Sequence, residues 1–191
     1  MRFRAAVADD ADDVALLHAD SWRRYYRGAF ADSFLDGDVV ADRRTIWSSR
    51  LAAPVDSMTV VAVEDIGLTG FVHVIFDDDD GWGSLVDNLH VVHNRRRTGL
   101  GSALLVRAAE AVADRANGES IHVWVLEQNT AAQRFYRALG GTSVEKAAVS
   151  PPGGVPERLN GSPSMLRIAW PDAASLVSAA ARGRQEPRSH Q

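Results

Sequence analysis

The sequence predicts an α/β protein of the α+β kind, built around a mixed sheet. Apolar, β-branched runs of strand length occur at residues 58–63 and 70–76, separated by a polar turn. Longer stretches, such as residues 99–116, carry apolar side chains at helical spacing. Predicted strands and helices alternate between residues 82 and 139, which implies a parallel pair of strands inside the sheet.

Length and composition indicate one globular domain. The chain has 191 residues and 46% hydrophobic content, which suits a domain of ordinary size. We expect this domain at residues 1–170, followed by a C-terminal tail at 171–191 that is disordered from residue 182. The net charge of −4 argues against general nucleic-acid binding. The sequence lacks a long apolar run and an N-terminal signal block, so we expect a cytoplasmic protein without a membrane partner.

The elements before residue 93 are predicted to be two helices and four strands. Residues 77–81, four aspartates and a glycine, favour a solvated turn over a metal site, because nothing in the sequence fixes a ligand geometry. The predicted elements are a short edge strand at 3–5, a helix at 11–26 capped by Asp9 or Asp10, a helix at 39–51, a hairpin of strands at 58–63 and 70–76, and a strand at 82–92.

The second half is predicted to continue with a helix at 99–116 and a strand at 120–126. A helix at 130–139 follows, for which Asn129 is a suitable N-cap and the glycines at 140 and 141 a suitable stop. Residues 150–163 form a loop rich in proline and glycine, and residues 164–170 a final strand. Beyond residue 171 the alanine- and serine-rich stretch is compatible with a frayed helix.

Residues 96–101, with the sequence RRTGLG, lie between a predicted strand and a predicted helix, where a phosphate-binding turn belongs. Backbone N–H groups at a helix start lack intrahelical partners, the helix dipole favours an anion there, and glycines let a pyrophosphate approach closely. The turn is neither a GxGxxG dinucleotide fingerprint nor a P-loop. On this motif alone, a plain strand-to-helix turn is an equal alternative.

The turn resembles the acetyl-CoA motif of the GNAT acetyltransferase superfamily, Arg/Gln-x-x-Gly-x-Gly/Ala, which Arg96, Gly99 and Gly101 match. A second family block, an Asn at a helix start followed seven residues later by Tyr and then by Gly, is matched from Asn129 through Tyr136. Two separately placed matches are stronger than one. The segment from residue 21 to 28 is also similar to the first helix of a bacterial branch with mixed substrates.

The resemblance covers residues 3–170 and implies a mostly antiparallel sheet of six to seven strands, with helices on both faces and a splay between the fourth and fifth strands. It implies acetyl-CoA as cosubstrate and CoA as product. Backbone groups of the fourth strand would then contact the pantetheine arm and the thioester carbonyl, where an N–H stabilises an oxyanion. The expected cofactor-binding residues are Leu89, His90, Val91, Arg96, Arg97, Thr98, Gly99, Leu100, Gly101, Ser102, Asn129 and Tyr136.

The resemblance also implies roles at the reacting atoms. Tyr136 would protonate the departing CoA thiolate, and its alternative is a packing aromatic residue. The end of the first helix would line the acceptor pocket, and its alternative is an ordinary amphipathic helix. The residues expected to line that pocket are Trp22, Tyr25, Tyr26 and Phe30.

A base is required because an alkyl ammonium with a pKa of about 10 is almost fully protonated at pH 7. Strand alternation places Asp87 on one face with Leu85, Leu89 and Val91, and Asn88 and His90 on the other. Acidic or histidine bases on this strand are common in the family, so Asp87 is the candidate. Its alternatives are an orienting role for Asp87, or His90 or His93 as the base.

Three functions remain open from the sequence. The first is an N-acetyltransferase that acts by direct attack in a ternary complex, because a chain without cysteine cannot form an acyl-cysteine intermediate. The second is a catalytically silent acyl-CoA-binding module. The third is a nucleotide-binding protein, which is disfavoured because no Lys-Ser/Thr pair of a P-loop follows the glycines. The acceptor can be a small-molecule amine or a peptide N-terminus, and a homodimer, common in the family, stays open.

Overall fold

A computed structural model describes residues 1–185, which form a seven-stranded sheet with helices on both faces. The mixed sheet confirms the predicted fold class. The strands are β1 (Arg2–Ala5), β2 (Ser57–Glu64), β3 (Gly67–Asp79), β4 (Gly83–Val91), β5 (Ile121–Leu126), β6 (Thr142–Ala148) and β7 (Ser164–Trp170). The helices are α1 (Ala11–Tyr25), α2 (Asp32–Asp36), α3 (Val39–Ala52), α4 (Leu100–Arg115), α5 (Thr130–Ala138) and α6 (Ala173–Gln185).

The sheet has the order β1-β2-β3-β4-β5-β7-β6, and all neighbouring strands are antiparallel except β4 and β5. This parallel pair is registered only at Ser84 with Ile121 and at Leu85 with His122. Beyond these residues the two strands diverge within the described structure. The result is an opening in the sheet, bounded by the C-terminal halves of β4 and β5, where the splay was expected.

The helices divide between the two faces of the sheet. On one face, α4, α5 and α6 cover the largest apolar core, to which α4 contributes Leu104, Leu105 and Val112. On the other face, α1 and α3 pack against β3 through a second core that contains Trp47 and Phe71. Burying such side chains stabilises each layer by about 1.5–3 kcal/mol per large residue. We call these the α4 face and the α1/α3 face.

A β-bulge in β4 changes which side chains share a face. His73 of β3 pairs with Asn88, but the next residue, Val74, pairs with Val86, so Asp87 is the extra residue. A bulge of this kind shifts the alternation of side chains by one position. Val86 and Leu89 therefore both contact the core of the α4 face although they are three residues apart.

The predicted placement of Asp87 on one face with Leu89 and Val91 is wrong. Asp87 bonds to α3 and His90 packs on α1, whereas Leu89 and Val91 pack against the core of the α4 face. Strict alternation fails because the bulge adds a residue between Val86 and Asn88.

Two elements were not predicted, α2 and β6. Helix α2 has only five residues and is held by Phe34 and Leu35, which are buried in a tertiary cluster. Strand β6 is mostly exposed and has no apolar pattern, because it is an edge strand that pairs only with β7. A sequence pattern detects burial, and β6 has little of it.

The acidic run is not a free turn. Strand β3 extends through Asp79, and the side chain of Asp77 accepts hydrogen bonds from the backbone N–H groups of Asn117 and Gly118. Asp79 pairs with Arg167 of β7 at 2.7 Å. Only Asp80 and the two residues after it form the turn. These carboxylates therefore join loops and strands at the end of the sheet where β4 begins.

The C-terminal segment was predicted to be disordered from residue 182. Residues 182–185 are instead the last turn of α6, and residues 186–191 lie outside the described residues. The helix forms because Ala173, Leu176 and Ala180 are buried against the core of the α4 face. The division at residue 170 stays a prediction. Among residues 1–185, no helix is long and apolar enough to cross a membrane.

Candidate active site

The turn at residues 96–99 is exposed and leads directly into α4. Gly99 is its N-cap with a φ of 89°, a left-handed conformation that glycine adopts without strain. Ala103 donates the first intrahelical hydrogen bond, to the carbonyl of Gly99. The N–H groups of Leu100, Gly101 and Ser102 precede it and point out of the helix start, where an anion is favoured. The geometry is that of a phosphate-binding turn.

Helix α5 lies beside this turn. A Cβ atom at Gly101 would be 3.5 Å from the ring of Phe135, so the first turn of α4 packs closely on α5. Asn129 caps α5, as predicted, by accepting a hydrogen bond from the N–H of Ala132 at 3.1 Å.

Tyr136 projects from α5 into the core of the α4 face. Its ring packs edge-on against Phe135 and Trp170. Burial raises the pKa of the Tyr136 phenol, and the nearby Tyr26 phenol adds to the increase. The hydroxyl is therefore protonated at neutral pH, which is the state a proton donor needs. Both readings of Tyr136, proton donor and packing residue, fit this environment.

Asp87 lies on the α1/α3 face, partly exposed. Its Oδ2 accepts a hydrogen bond from Nη1 of Arg50 at 2.6 Å and another from Nδ2 of Asn88 at 2.5 Å. Arg50 comes from α3 and stacks over the ring of Trp47.

Asp87 and Tyr136 come from opposite faces, and Tyr26 interacts electrostatically with both. Burial raises the pKa of the Tyr26 phenol to about 12, and the carboxylate of Asp87 adds to the increase. The phenol of Tyr26 in turn influences Tyr136. The three groups are thus electrostatic neighbours across the opening between β4 and β5.

Three histidines lie on the α1/α3 face, of which His18 and His73 are buried and His90 is half-buried. His90 packs against His18, with ring centroids 4.6 Å apart, and against Phe71. Burial lowers the pKa of His90 to about 4 and that of His73 to about 4. His90 is therefore neutral at physiological pH. Its side chain packs under α1, as the alternative of a sheet histidine covered by a helix would have it.

The tautomer of His18 follows from its partner. The indole N–H of Trp47 donates to Nδ1 of His18 at 3.0 Å, and an indole nitrogen can only donate. Burial lowers the pKa of His18 well below its usual value, so the ring is neutral and its proton is on Nε2. Among the described residues, this buried Nε2 has no hydrogen-bond partner.

The predicted acceptor residues divide into two groups. Trp22 and Phe30 are buried, with only 9% and 4% of their surface exposed, and pack on each other and on Tyr26. Arg43 of α3 lies over the Trp22 ring, 4.2 Å from its centroid. These aromatic residues form the floor of the α1/α3 face beside the opening, and Tyr26 is the most accessible of the three to a ligand.

Tyr25 is instead joined to the phosphate-binding turn. Its hydroxyl accepts a hydrogen bond from Nη1 of Arg96 at 2.8 Å and lies 3.0 Å from Nδ1 of His93. The Arg96 guanidinium also stacks on the Tyr25 ring. The structure therefore brings Tyr25 together with a predicted cofactor residue, while its predicted contact with the acceptor stays a prediction.

The loop between β6 and β7 covers the outer side of the acceptor region. Arg158 donates to Asp42 of α3 at 2.6 Å, and its carbonyl accepts the N–H of Ala31. The N–H of Asn160 donates to the carbonyl of Ala29. These contacts enclose the segment between α1 and α2.

Sequence reasoning missed the charged residues of α3. Arg43, Trp47 and Arg50 recur at helical spacing and face the sheet, but their partners Trp22, His18 and Asp87 are distant in sequence. The spacing of the three residues was the only available signal. It indicated a buried face without showing that two arginines belong to it.

Similarity to known proteins agrees with this geometry. A model of the acetyltransferase (GNAT) family matches residues 18–140, a range that contains both the turn and Tyr136. The chain belongs to this family. It is an acetyltransferase, and acetyl-CoA is its cosubstrate, because members of the family take the acetyl group from acetyl-CoA. The exposed turn at residues 96–99 and the N–H groups that precede the first intrahelical hydrogen bond of α4 fit a CoA pyrophosphate.

Individual relatives are more distant. The chain is 27% identical to the uncharacterized N-acetyltransferase YuaI of Bacillus subtilis (strain 168) over 91% of this chain and 94% of that protein. Its fold is similar to PaiA N-acetyltransferase from Thermoplasma acidophilum in complex with coenzyme A, with a TM-score of 0.67, 15% identity and coverage of 88% and 98%. It is also similar to Arabidopsis thaliana NAA60 in complex with a bisubstrate analogue, with a TM-score of 0.63, 17% identity and coverage of 88% and 96%.

Proposed function

We propose that this acetyltransferase acetylates a primary amine by direct attack on acetyl-CoA within a ternary complex. The observation that carries the proposal is the opening between β4 and β5. It has Tyr136 and the phosphate-binding turn on the α4 face and Asp87 on the α1/α3 face. Two substrates can therefore meet at the opening from opposite faces of the sheet.

In the proposed reaction Asp87 accepts a proton from the ammonium, and the free amine attacks the thioester carbonyl. A C–N bond forms and the C–S bond breaks, so that the thiolate of CoA leaves with the electron pair of that bond. Tyr136 gives its proton to the thiolate and recovers one from the acetylated nitrogen through water. Backbone N–H groups of β4 at Leu89 and Val91 are the proposed oxyanion donors.

Direct attack is supported by the composition of the chain. With no cysteine, the chain cannot hold the acetyl group as an acyl-cysteine. The similarity to NAA60, which binds a bisubstrate analogue, supports a site that holds donor and acceptor together. Initial rates measured over a grid of both substrate concentrations should give intersecting double-reciprocal lines, whereas parallel lines would indicate a covalent acetyl-enzyme.

The alternative of a catalytically silent CoA-binding module is tested by the same assay. Calorimetry with acetyl-CoA, CoA and ATP establishes which ligand binds, and a thiol-release assay with a panel of primary amines establishes turnover. Acetyl-CoA binding without thiol release from any amine would contradict the proposed function. The cytoplasmic location and the homodimer stay predictions, and light scattering of the purified chain tests the latter.

A further inference from the structure

We propose that the Arg50–Asp87 pair recognises the head group of an amino acid and that the acceptor is the amine of that amino acid. The carboxylate of the substrate would bind Arg50, and its ammonium would bind Asp87. This inference rests on the proposed function, since it names the class of amine that the same site acetylates.

The geometry of the pair is complementary to a zwitterion. Nη1 of Arg50 and Oδ2 of Asp87 are 2.6 Å apart, and the two side chains are 33% and 28% exposed. An α-amino acid carries its ammonium nitrogen about 2.5 Å from its carboxyl carbon, because two covalent bonds separate them. A cation and an anion held side by side on the protein therefore face an anion and a cation held side by side on the ligand.

Both residues retain the capacity to bind a ligand without separating. The hydrogen bonds from Arg50 and Asn88 both end on Oδ2 of Asp87, which leaves Oδ1 to receive an ammonium. Arg50 donates to Asp87 through one of the five N–H groups of its guanidinium. The planar fork of arginine matches a carboxylate with two parallel hydrogen bonds.

The surrounding charges favour a ligand that carries an anion. The carboxylate of Asp42 is shared by Arg43 and Arg158, at 2.5 Å and 2.6 Å. Together with the Arg50–Asp87 pair, three guanidinium groups face two carboxylates. The histidines of this face are neutral and leave this excess of positive charge unchanged. A polyamine would meet net positive charge here, whereas an amino acid brings its own carboxylate.

A carboxylate elsewhere near the acceptor region does not change this argument. Glu127 lines a cavity of about 430 Å³ together with Gly28 and Asn160, between the ends of β5 and the loop before β7. Its carboxylate is already paired with Lys146 at 2.8 Å. This cavity is therefore closer to neutral than a polycation site requires.

The first test compares acceptors of equal shape. Thiol release is measured with the twenty protein L-amino acids, with the carboxamide of each active one, and with spermidine and putrescine. We expect turnover with one or more amino acids and a kcat/KM lower by about ten- to a hundredfold for the carboxamide, which has lost the charge-assisted hydrogen bonds. Carboxamides also imitate peptide N-termini, so equal or better activity with them would overturn the inference and favour a peptide acceptor.

The second test changes the protein. Arg50→Gln should raise KM for the best amino acid about ten- to a hundredfold more than it raises KM for the carboxamide of that amino acid. If Arg50 only holds Asp87 in position, both acceptors should suffer equally, and the inference is then wrong. Arg44→Gln on the same helix is the matched control, because Arg44 pairs with Asp12 on the exposed side of α3. Calorimetric titration of the amino acid into the CoA-saturated protein gives the same comparison without turnover.

The remaining outcomes separate this inference from the proposed function. Preferred turnover of spermidine or putrescine would overturn the amino-acid site and leave amine acetylation standing. Thiol release from no amine, by a protein that binds acetyl-CoA, would overturn both.

Discussion

The two faces of the opening between β4 and β5 offer different chemical groups to a ligand. On the α4 face, the phosphate-binding turn offers backbone N–H groups and glycines at the start of a single helix. On the α1/α3 face, Arg50 of α3, Asp87 of β4 and Tyr26 at the end of α1 converge as side chains. The groups of the turn come from adjacent residues, whereas those on the α1/α3 face come from three elements that are distant in sequence.

This difference explains how one fold serves many acceptors. A pyrophosphate contacts backbone, which every substitution outside the turn leaves in place. In the proposed site the acceptor contacts side chains, so single substitutions on α1 or α3 would change what is bound without touching the turn at residues 96–101. In this chain the α1/α3 face is basic and aromatic, which is the basis of the amino-acid proposal.

The largest effect is expected for a substitution in the turn at residues 96–101. Gly101→Val should weaken acetyl-CoA binding by more than about a thousandfold, or about 4 kcal/mol, because the new side chain occupies the approach of the pyrophosphate beside Phe135. Calorimetry measures the affinity and circular dichroism the fold. Gly183→Val is the control, since a Cβ there meets nothing within 4 Å. Unchanged affinity in folded Gly101→Val would remove the phosphate-turn assignment.

The next largest effect is expected for a substitution of Asp87, on the α1/α3 face. Asp87→Asn should lower kcat about a thousandfold near neutral pH, with acetyl-CoA affinity unchanged. The amide cannot accept the ammonium proton. Steady-state rates between pH 5 and 9 check this expectation. If Asp87→Asn retains its kcat, the base is another group, with His90 the nearest alternative.

A smaller effect is expected for a substitution of Tyr136, on the α4 face. Tyr136→Phe should lower kcat about a hundredfold, the low end for a general acid, because a CoA thiolate leaves readily. Stability should change little, since the ring keeps its contacts with Phe135 and Trp170. Single-turnover rates separate chemistry from product release. Tyr26→Phe is the informative comparison, because an equal or greater loss there would assign the proton donor to Tyr26.

The smallest effect concerns stability. Histidines with a folded-state pKa of about 4 bind protons more readily when unfolded, at about 6.5. Their contribution is complete above pH 6.5 and is lost as the pH falls towards 4, by about 1 kcal/mol per pH unit for each histidine. Urea unfolding at several pH values measures this slope. His73→Asn should flatten it, and an unchanged slope would show that His73 titrates normally.

Much of the fold followed from the sequence because its signals are local. Apolar spacing predicted α1, α3, α4 and the hairpin of β2 and β3, and Asn129 predicted the start of α5. The exceptions were α2 and β6, which depend on contacts with distant elements. The turn at residues 96–101 was predictable for the same reason as the helices, since a phosphate site at a helix start is made by adjacent residues.

What the sequence by itself determined is therefore the proposed cofactor site: a glycine turn before a helix, and Asn129 and Tyr136 seven residues apart at the next helix. Only the tertiary structure brings together the residues of the proposed acceptor site. The bulge at Asp87 reversed the face predicted for that carboxylate, and Arg50 reached it from 37 residues away. Such contacts depend on the register of strands and the packing of helices, which no short sequence window contains.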